Sequence, residues 1–230
     1  MESKRIVVII PAFNEENSVG KVIIDIPKSI VSDIIVVNNN SNDLTRVNAL
    51  ATGAIVIDEP KQGYGNACLK GMEYVSMMKI KPDIIVFIDA DYSDYPGEIV
   101  NLVAPILTDN YDMVIGSRAL GKREWGSMTP QQIFGNWLAT TLLKIFYNVS
   151  YTDLGPFRAI KYQKLLDLNM IDKTYGWTVE MQLKAAKCQL KISEVPVSYR
   201  VRIGHSKVSG TLKGTLMAGY KIITTIFKYL

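Results

Sequence analysis

One histidine, His205, and two cysteines, Cys68 and Cys188, are all that these 230 residues offer to imidazole or thiolate metal ligation or to histidine-assisted nucleophilic catalysis. A single histidine in a basic loop, with no nucleophile elbow anywhere, argues against a Ser/His/Asp enzyme. The cysteines lie far apart without metal-ligand spacing and read as buried free thiols of a reducing compartment. No uninterrupted apolar stretch reaches the roughly 20 residues that span a bilayer. No segment is low in complexity and 48% of the residues are apolar, which excludes disorder. The N-terminus runs through Glu2, Lys4 and Arg5 into a strand without a signal-peptide pattern, so the expected location is cytoplasmic. Two phosphate-loop resemblances also fail. Gly63-Tyr64-Gly65-Asn66-Ala67-Cys68 lacks the third glycine of a dinucleotide fingerprint, and Gly204-His205-Ser206-Lys207 lacks the spacing of a P-loop.

What is present begins with charge. The net charge of +4 is unevenly spread: no acidic residue follows Glu194, whereas Arg200, Arg202, Lys207, Lys213, Lys221 and Lys228 do. Such a segment suits an anionic partner, either phosphates or a lipid surface, or is an ordinary solvated basic face.

Apolar runs at residues 5–10, 34–37, 54–57, 84–88 and 112–115 alternate with helical patterns at 16–29, 43–52, 64–80 and 96–107. This alternation predicts an α/β fold with a mostly parallel sheet flanked by crossover helices. Thr129-Pro130-Gln131-Gln132 reads as a capping box opening a helix to about residue 148. Its broad apolar face, Ile133, Phe134, Trp137, Leu138, Leu142, Ile145 and Phe146, suits a core helix or a helix lying in a membrane interface. A last helix is expected over 211–230, with Leu212, Leu216, Tyr220, Ile223 and Phe227 in one stripe and Lys213, Lys221 and Lys228 on another side.

The chemistry is concentrated where strands end. Ile84-Ile85-Val86-Phe87-Ile88 runs straight into Asp89-Ala90-Asp91. Two close carboxylates at the end of a buried strand repel each other and resist desolvation, a conflict that a divalent cation resolves. Oxygen ligands favour Mg²⁺ or Mn²⁺. Strand one ends in Pro11-Ala12-Phe13-Asn14-Glu15-Glu16, strand two in Asn38-Asn39-Asn40-Ser41-Asn42-Asp43, and strand five in Gly116-Ser117-Arg118. Each loop alone is ordinary turn chemistry. Together, at the carboxyl edge of an open α/β sheet, they mark a ligand site.

These residues, over essentially the whole chain, resemble family 2 glycosyltransferases of the GT-A fold (nucleotide-diphospho-sugar transferase, Rossmann-like). Within that family the similarity is greatest to the dolichyl-phosphate mannose or glucose synthase branch. The match rests on residues 7–16, on Gly63-Tyr64-Gly65-Asn66-Ala67, on Asp89-Ala90-Asp91 and on Gly116-Ser117-Arg118. It continues in Asp153-Leu154-Gly155-Pro156-Phe157-Arg158-Ala159-Ile160 and in Arg202-Ile203-Gly204-His205-Ser206-Lys207-Val208-Ser209-Gly210. The resemblance implies one domain over 1–230, its nucleotide-sugar half 1–118 and its acceptor half 119–230. Pro11, Ala12, Asn14, Glu15, Asn38, Gly63 and Ala90 would line the nucleotide-sugar pocket. Asp89 and Asp91 would hold the diphosphate and metal, with Arg118 completing the catalytic set. Asp153, Arg158, Arg202 and Lys207 would serve the phosphates of donor or acceptor.

Two departures stand out. Many relatives carry Asp-Asp where this chain has Asn38-Asn39, and the branch often has Gln where this chain has Ser93, followed by Asp94. Glu180 stands where the wider family sometimes keeps an acceptor-side acid, and reads as an ordinary helix-start carboxylate ahead of a catalytic one. The implied reaction moves a hexose from a UDP- or GDP-sugar to a polyprenyl phosphate, probing no nucleic acid, with the enzyme docked peripherally at the cytoplasmic membrane face. A same-fold transferase with a soluble acceptor, or a non-catalytic nucleotide-sugar-binding module, is the alternative.

Overall fold

The computed structural model describes residues 4–204 and 212–230. Seven strands form one sheet in the order β3-β2-β1-β4-β6-β5-β7. They are β1 (Ile6–Ala12), β2 (Asp33–Asn38), β3 (Ile55–Asp58), β4 (Ile84–Phe87), β5 (Met113–Ser117), β6 (Arg158–Lys161) and β7 (Ile192–Pro196). All neighbours run parallel except β6, which lies antiparallel between β4 and β5. Alternation along the strands supplies both faces of the sheet. Val7, Ile9, Ile85 and Phe87 pack into one apolar cluster, and Ile6, Val8, Ile84 and Val86 into the other. A strand buried on both faces has no polar positions to spare until it ends, so the polar residues gather at the carboxyl edge.

Helices α1 (Val19–Asp25), α2 (Thr45–Ala51), α3 (Tyr64–Met77) and α4 (Ile99–Thr108) connect the first five strands. Helix α1 is shorter than its pattern predicts because Pro27 pushes Ile26 into an extended conformation. Helix α5 (Pro130–Tyr147) opens on the expected capping box: Thr129 Oγ1 accepts from the Gln132 backbone N–H, and Gln132 Oε1 accepts from that of Thr129 at 2.8 Å. Helices α6 (Tyr162–Asp167) and α7 (Trp177–Lys187) follow, then α8 (Leu212–Lys228).

The apolar face of α5 is not a core face. Only Ala139, Thr140 and Leu143 are buried, whereas Ile133, Phe134, Trp137, Ile145 and Phe146 are exposed. Helix α8 packs against α5 and α7 through Ile226 and Ile222, leaving Met217, Tyr220 and Phe227 outward. Phe146 and Phe227 meet edge to face at 5.3 Å, so the two helices share one outward apolar surface. No helix among the described residues is long and apolar enough to cross a membrane.

Candidate active site

Main-chain contacts assemble the site before any side chain does. The stretch that follows β7 is laid across the end of β4: Tyr199 bridges Asp94, Arg200 N donates to Ser93 O at 2.9 Å, and Ile203 N donates to Asp91 O at 3.0 Å. Arg200 is clamped between the Tyr92 and Tyr95 rings, 3.4 and 4.1 Å from their centroids, and its Nε donates to Tyr92 O at 2.6 Å. This lacing brings the basic C-terminal region onto the two-carboxylate loop. Lys207 and His205 lie outside the described residues.

Arg202 is the product of that lacing. Its Nη2 donates to Glu15 Oε1 at 2.8 Å and its Nη1 stands 3.2 Å from Asp91 Oδ2. The guanidinium thus ties the end of β1 to the end of β4. Asp91 Oδ1 accepts from the Ser93 backbone N–H at 2.9 Å and from its hydroxyl at 2.5 Å. Asp89 is less well served: its Oδ1 is sealed from solvent without a hydrogen-bond partner among the described residues. Burial and the Asp91 carboxylate push the Asp89 carboxyl upward.

On the nucleotide side, Pro11 and Ala12 sit at the buried end of β1, beyond which Asn14 takes a left-handed conformation with φ of 53°. That turn is closed by Asn14 N donating to Ser41 Oγ at 3.0 Å and by Asn42 N donating to Asn14 Oδ1 at 2.9 Å. Asn38 Nδ2 donates to Asp58 Oδ1 at 2.8 Å, and Asn39 braces the loop before α3 through Glu59 O, Lys61 O and the Gly63 N–H. Gly63 and Gly65 are there for proximity. A Cβ at Gly63 would lie 2.3 Å from Lys173 O, and one at Gly65 2.1 Å from Asp172 O. Asp58 was missed by sequence reasoning. Its carboxylate, at the end of β3, accepts from the Asn38 side chain, and a polar residue at the end of a strand was the available signal.

On the far side, Arg118 and Asp153 form a closed pair. Arg118 Nε donates to Asp153 Oδ2 at 2.8 Å, Nη2 to Oδ1 at 2.6 Å, and the Arg118 backbone N–H to Oδ2 at 2.7 Å. Burial alone would disfavour both charges, but the pairing holds Asp153 below the usual carboxylate range and Arg118 firmly charged. The Arg118 guanidinium also lies over the Tyr199 ring, 5.1 Å from its centroid. Asp94 is buried near this pair, and burial together with Asp89 pushes its carboxyl well up.

One expected role does not match its placement. Arg158 is fully buried on β6, and its guanidinium donates to the carbonyls of Leu154, Gly155 and Thr178. It supports the loop that carries Asp153 and has no exposed face for a phosphate. Glu180 lies in the first turn of α7, as expected, and is buried there, accepting from the Ile171 and Asp172 backbone N–H groups and from Tyr229 Oη at 2.6 Å. It ties the end of the chain to the core.

Asp89 and Asp91 suit a hard divalent cation, since both offer carboxylate oxygens and one of these oxygens has no other partner. No cluster of three or more acidic, histidine or cysteine side chains is arranged around an ion among the described residues. Two protein carboxylates with diphosphate oxygens and water completing the shell fit the usual habit of Mg²⁺.

Comparison with known proteins converges on one family. The profile of Glycosyl transferase family 2 matches residues 7–168. An uncharacterized glycosyltransferase of Mycobacterium tuberculosis is 33% identical over 220 residues, spanning 95% of this chain and 96% of its own. A dolichyl-phosphate hexose transferase of Haloferax volcanii is 30% identical over 206 residues, spanning 87% and 85%. Among solved structures, glucosyl-3-phosphoglycerate synthase from Mycobacterium tuberculosis, in complex with Mn²⁺, UDP and phosphoglyceric acid, superposes with a TM-score of 0.78. It is 22% identical and covers 98% of this chain and 78% of that chain. The shared architecture is the GT-A fold.

Proposed function

The chain belongs to glycosyl transferase family 2, and from that premise we propose that it moves a hexose from a UDP- or GDP-sugar to a polyprenyl phosphate at a membrane surface. A phosphate-ester oxygen of the acceptor attacks the anomeric carbon. The bond from that carbon to the donor diphosphate breaks, and the nucleoside diphosphate leaves with the electron pair, inverting the centre. The acceptor's second pKa is near ~6, so it arrives largely ionised and needs no general base. This agrees with a chain whose single histidine has no catalytic partner in the sequence.

The difficult part is stabilising the leaving diphosphate. Asp89 and Asp91 would hold Mg²⁺ or Mn²⁺, which when bound supplies Lewis-acid neutralisation of that charge. Arg202 orders Glu15 and Asp91 around the position, and the edge of Arg118 that Asp153 leaves open would serve the departing diphosphate.

The observation that carries the lipid acceptor is the outward apolar surface of α5 and α8. It begins just after the loop that follows Arg118, in which Trp125 is 99% exposed. Aromatic residues on such a surface, with Lys144, Lys221 and Lys228 on the same two helices, suit the boundary of an anionic bilayer. A soluble phosphorylated acceptor is the second reading, favoured by the phosphoglyceric acid held in the structural neighbour.

The deciding experiment follows nucleotide release from UDP- and GDP-sugars with Mg²⁺ or Mn²⁺, with and without a short-chain polyprenyl phosphate and with chelator. Release from one donor that requires both metal and lipid phosphate supports the proposal. Release with phosphoglyceric acid but not with lipid phosphate selects the second reading.

A further inference from the structure

Asp94 has no role in the account so far. It is 1% exposed, and neither carboxylate oxygen has a hydrogen-bond partner among the described residues. Buried carboxylates are normally paired or hydrogen-bonded, so one left bare at the edge of a ligand site points to a missing ligand group. Its main chain is pinned on both sides, by the bridge to Tyr199 and by Arg200 Nη2 donating to its carbonyl at 3.2 Å. The side chain is therefore held in place by structure that has nothing to do with its own charge.

Its surroundings narrow what that ligand is. The carboxylate lies within electrostatic reach of Asp89, Arg118, Asp91 and Asp153. Arg118 does not pair with it: the ion pair and the side-chain hydrogen bonds of that guanidinium go to Asp153 through Nε and Nη2. Nor does Asp94 join Asp89 and Asp91 as an ion ligand, since no group of three such side chains is arranged for that among the described residues. A neutral donor of several hydroxyl groups is the remaining chemistry.

The order of the sheet says which part of a nucleotide-sugar supplies them. A nucleotide-sugar is linear: base, ribose, diphosphate, hexose. The ends of β3 and β2 carry Asp58 and Asn38, β1 leads to Glu15, and β4 leads to Asp89 and Asp91. Strands lie about 4.8 Å apart. With the base over β2 and the diphosphate over β4, the hexose falls toward the ends of β5 and β7, where Tyr199 bridges Asp94 and the Arg118–Asp153 pair stands.

We propose that the Asp94 carboxylate accepts hydrogen bonds from hydroxyl groups of the donor hexose and so sets which sugar is transferred. The inference rests on the transferase reading. A carboxylate has two oxygens and about four lone-pair directions, enough for two neighbouring hydroxyls. In a water-excluded position it rejects a sugar lacking them, because its buried oxygens are then left unpaired.

Calorimetric titration with Mn²⁺ present tests this, using UDP, UDP-glucose, GDP and GDP-mannose against the wild type and Asp94→Asn. Mn²⁺ alone is the control. Asp94→Asn is expected to weaken whichever nucleotide-sugar the wild type binds by about 10- to 100-fold, the scale of hydrogen bonds to a charged group. The matching nucleoside diphosphate and Mn²⁺ alone are expected to be unaffected. Thermal melting confirms that the variant is folded, and Asp94→Ser takes its place if it is not. Equal weakening of diphosphate and sugar, weakened Mn²⁺ binding, or unchanged sugar affinity each overturns the inference while leaving the transferase reading intact. A wild type that binds none of the four nucleotides overturns both.

Discussion

The Arg118 guanidinium holds both oxygens of the Asp153 carboxylate side-on, through Nε at 2.8 Å and Nη2 at 2.6 Å, with Asp153 only 1% exposed. Because Asp153 has its carboxyl lowered in the folded state, the pair contributes stability that is fully present above the unfolded value of about 3.9 and is lost as the pH falls through the folded one. Asp153→Asn should therefore flatten the acid side of the stability curve. At neutral pH it should cost about 3–5 kcal/mol, since one charge of a buried pair is left uncompensated. Urea unfolding between pH 2 and pH 7 measures both, and an unchanged curve would remove the pair from the account.

Asp91→Ala should lower turnover by about 10²–10³, equivalent to about 2.7–4 kcal/mol, the scale of losing one electrostatic contact to a developing charge. Steady-state release of nucleotide from the wild-type donor is the readout. Near-normal turnover would exclude Asp91 from the leaving-group site.

Arg202 touches Glu15 and Asp91 with two different nitrogens. Lysine is a single point charge and cannot span both carboxylates in that planar geometry. Arg202→Lys is expected to reduce kcat/KM by about tenfold or more, as for the loss of one charge-assisted hydrogen bond. Full activity in this variant would show that charge alone suffices.

Phe134 and Trp137 stand outward on α5, their rings 5.7 Å apart. Replacing both with glutamate should abolish flotation with anionic liposomes, because each large apolar side chain withdrawn from lipid forfeits about 1.5–3 kcal/mol. Donor binding in solution should be unchanged. Flotation that survives would place the membrane contact elsewhere.

Gly65 begins α3 where the loop containing Asp172 and Lys173 crosses it. Gly65→Ala drives a methyl against the Asp172 carbonyl oxygen, and overpacking of that kind costs about 1–3 kcal/mol. A lower melting temperature is expected, and an unshifted one would mean that the loop moves aside freely.

Much of this arrangement could be read from the chain because its signals are local. The apolar runs ending in Pro11-Ala12, Asn38-Asn39 and Asp89-Ala90-Asp91 announce buried strands and place their polar ends on one edge. Thr129 and Gln132 announce the start of α5, since a capping box needs only residues three apart. Other features depended on pairings between distant segments. Strand β6 is four residues long, begins with a buried arginine, and enters the sheet antiparallel between β4 and β5, which no periodicity over so short a stretch could specify. Arg202 meets Asp91 only because the main chain from Tyr199 to Ile203 is laid over Ser93 and Asp91.

By itself, the sequence determined that α5 carries an apolar face, because helical periodicity is a property of one segment. Only the tertiary structure decided that this face looks outward. Burial depends on which neighbours remain to cover a surface, and here α7 and α8 cover its other side. The same division holds at the site. Residue types and strand ends declared a charged edge, whereas the assignment of each charge to a partner, Arg118 to Asp153, Arg202 to Glu15 and Asp91, and Asp94 to none, arose from long-range packing that brought them within a few ångströms.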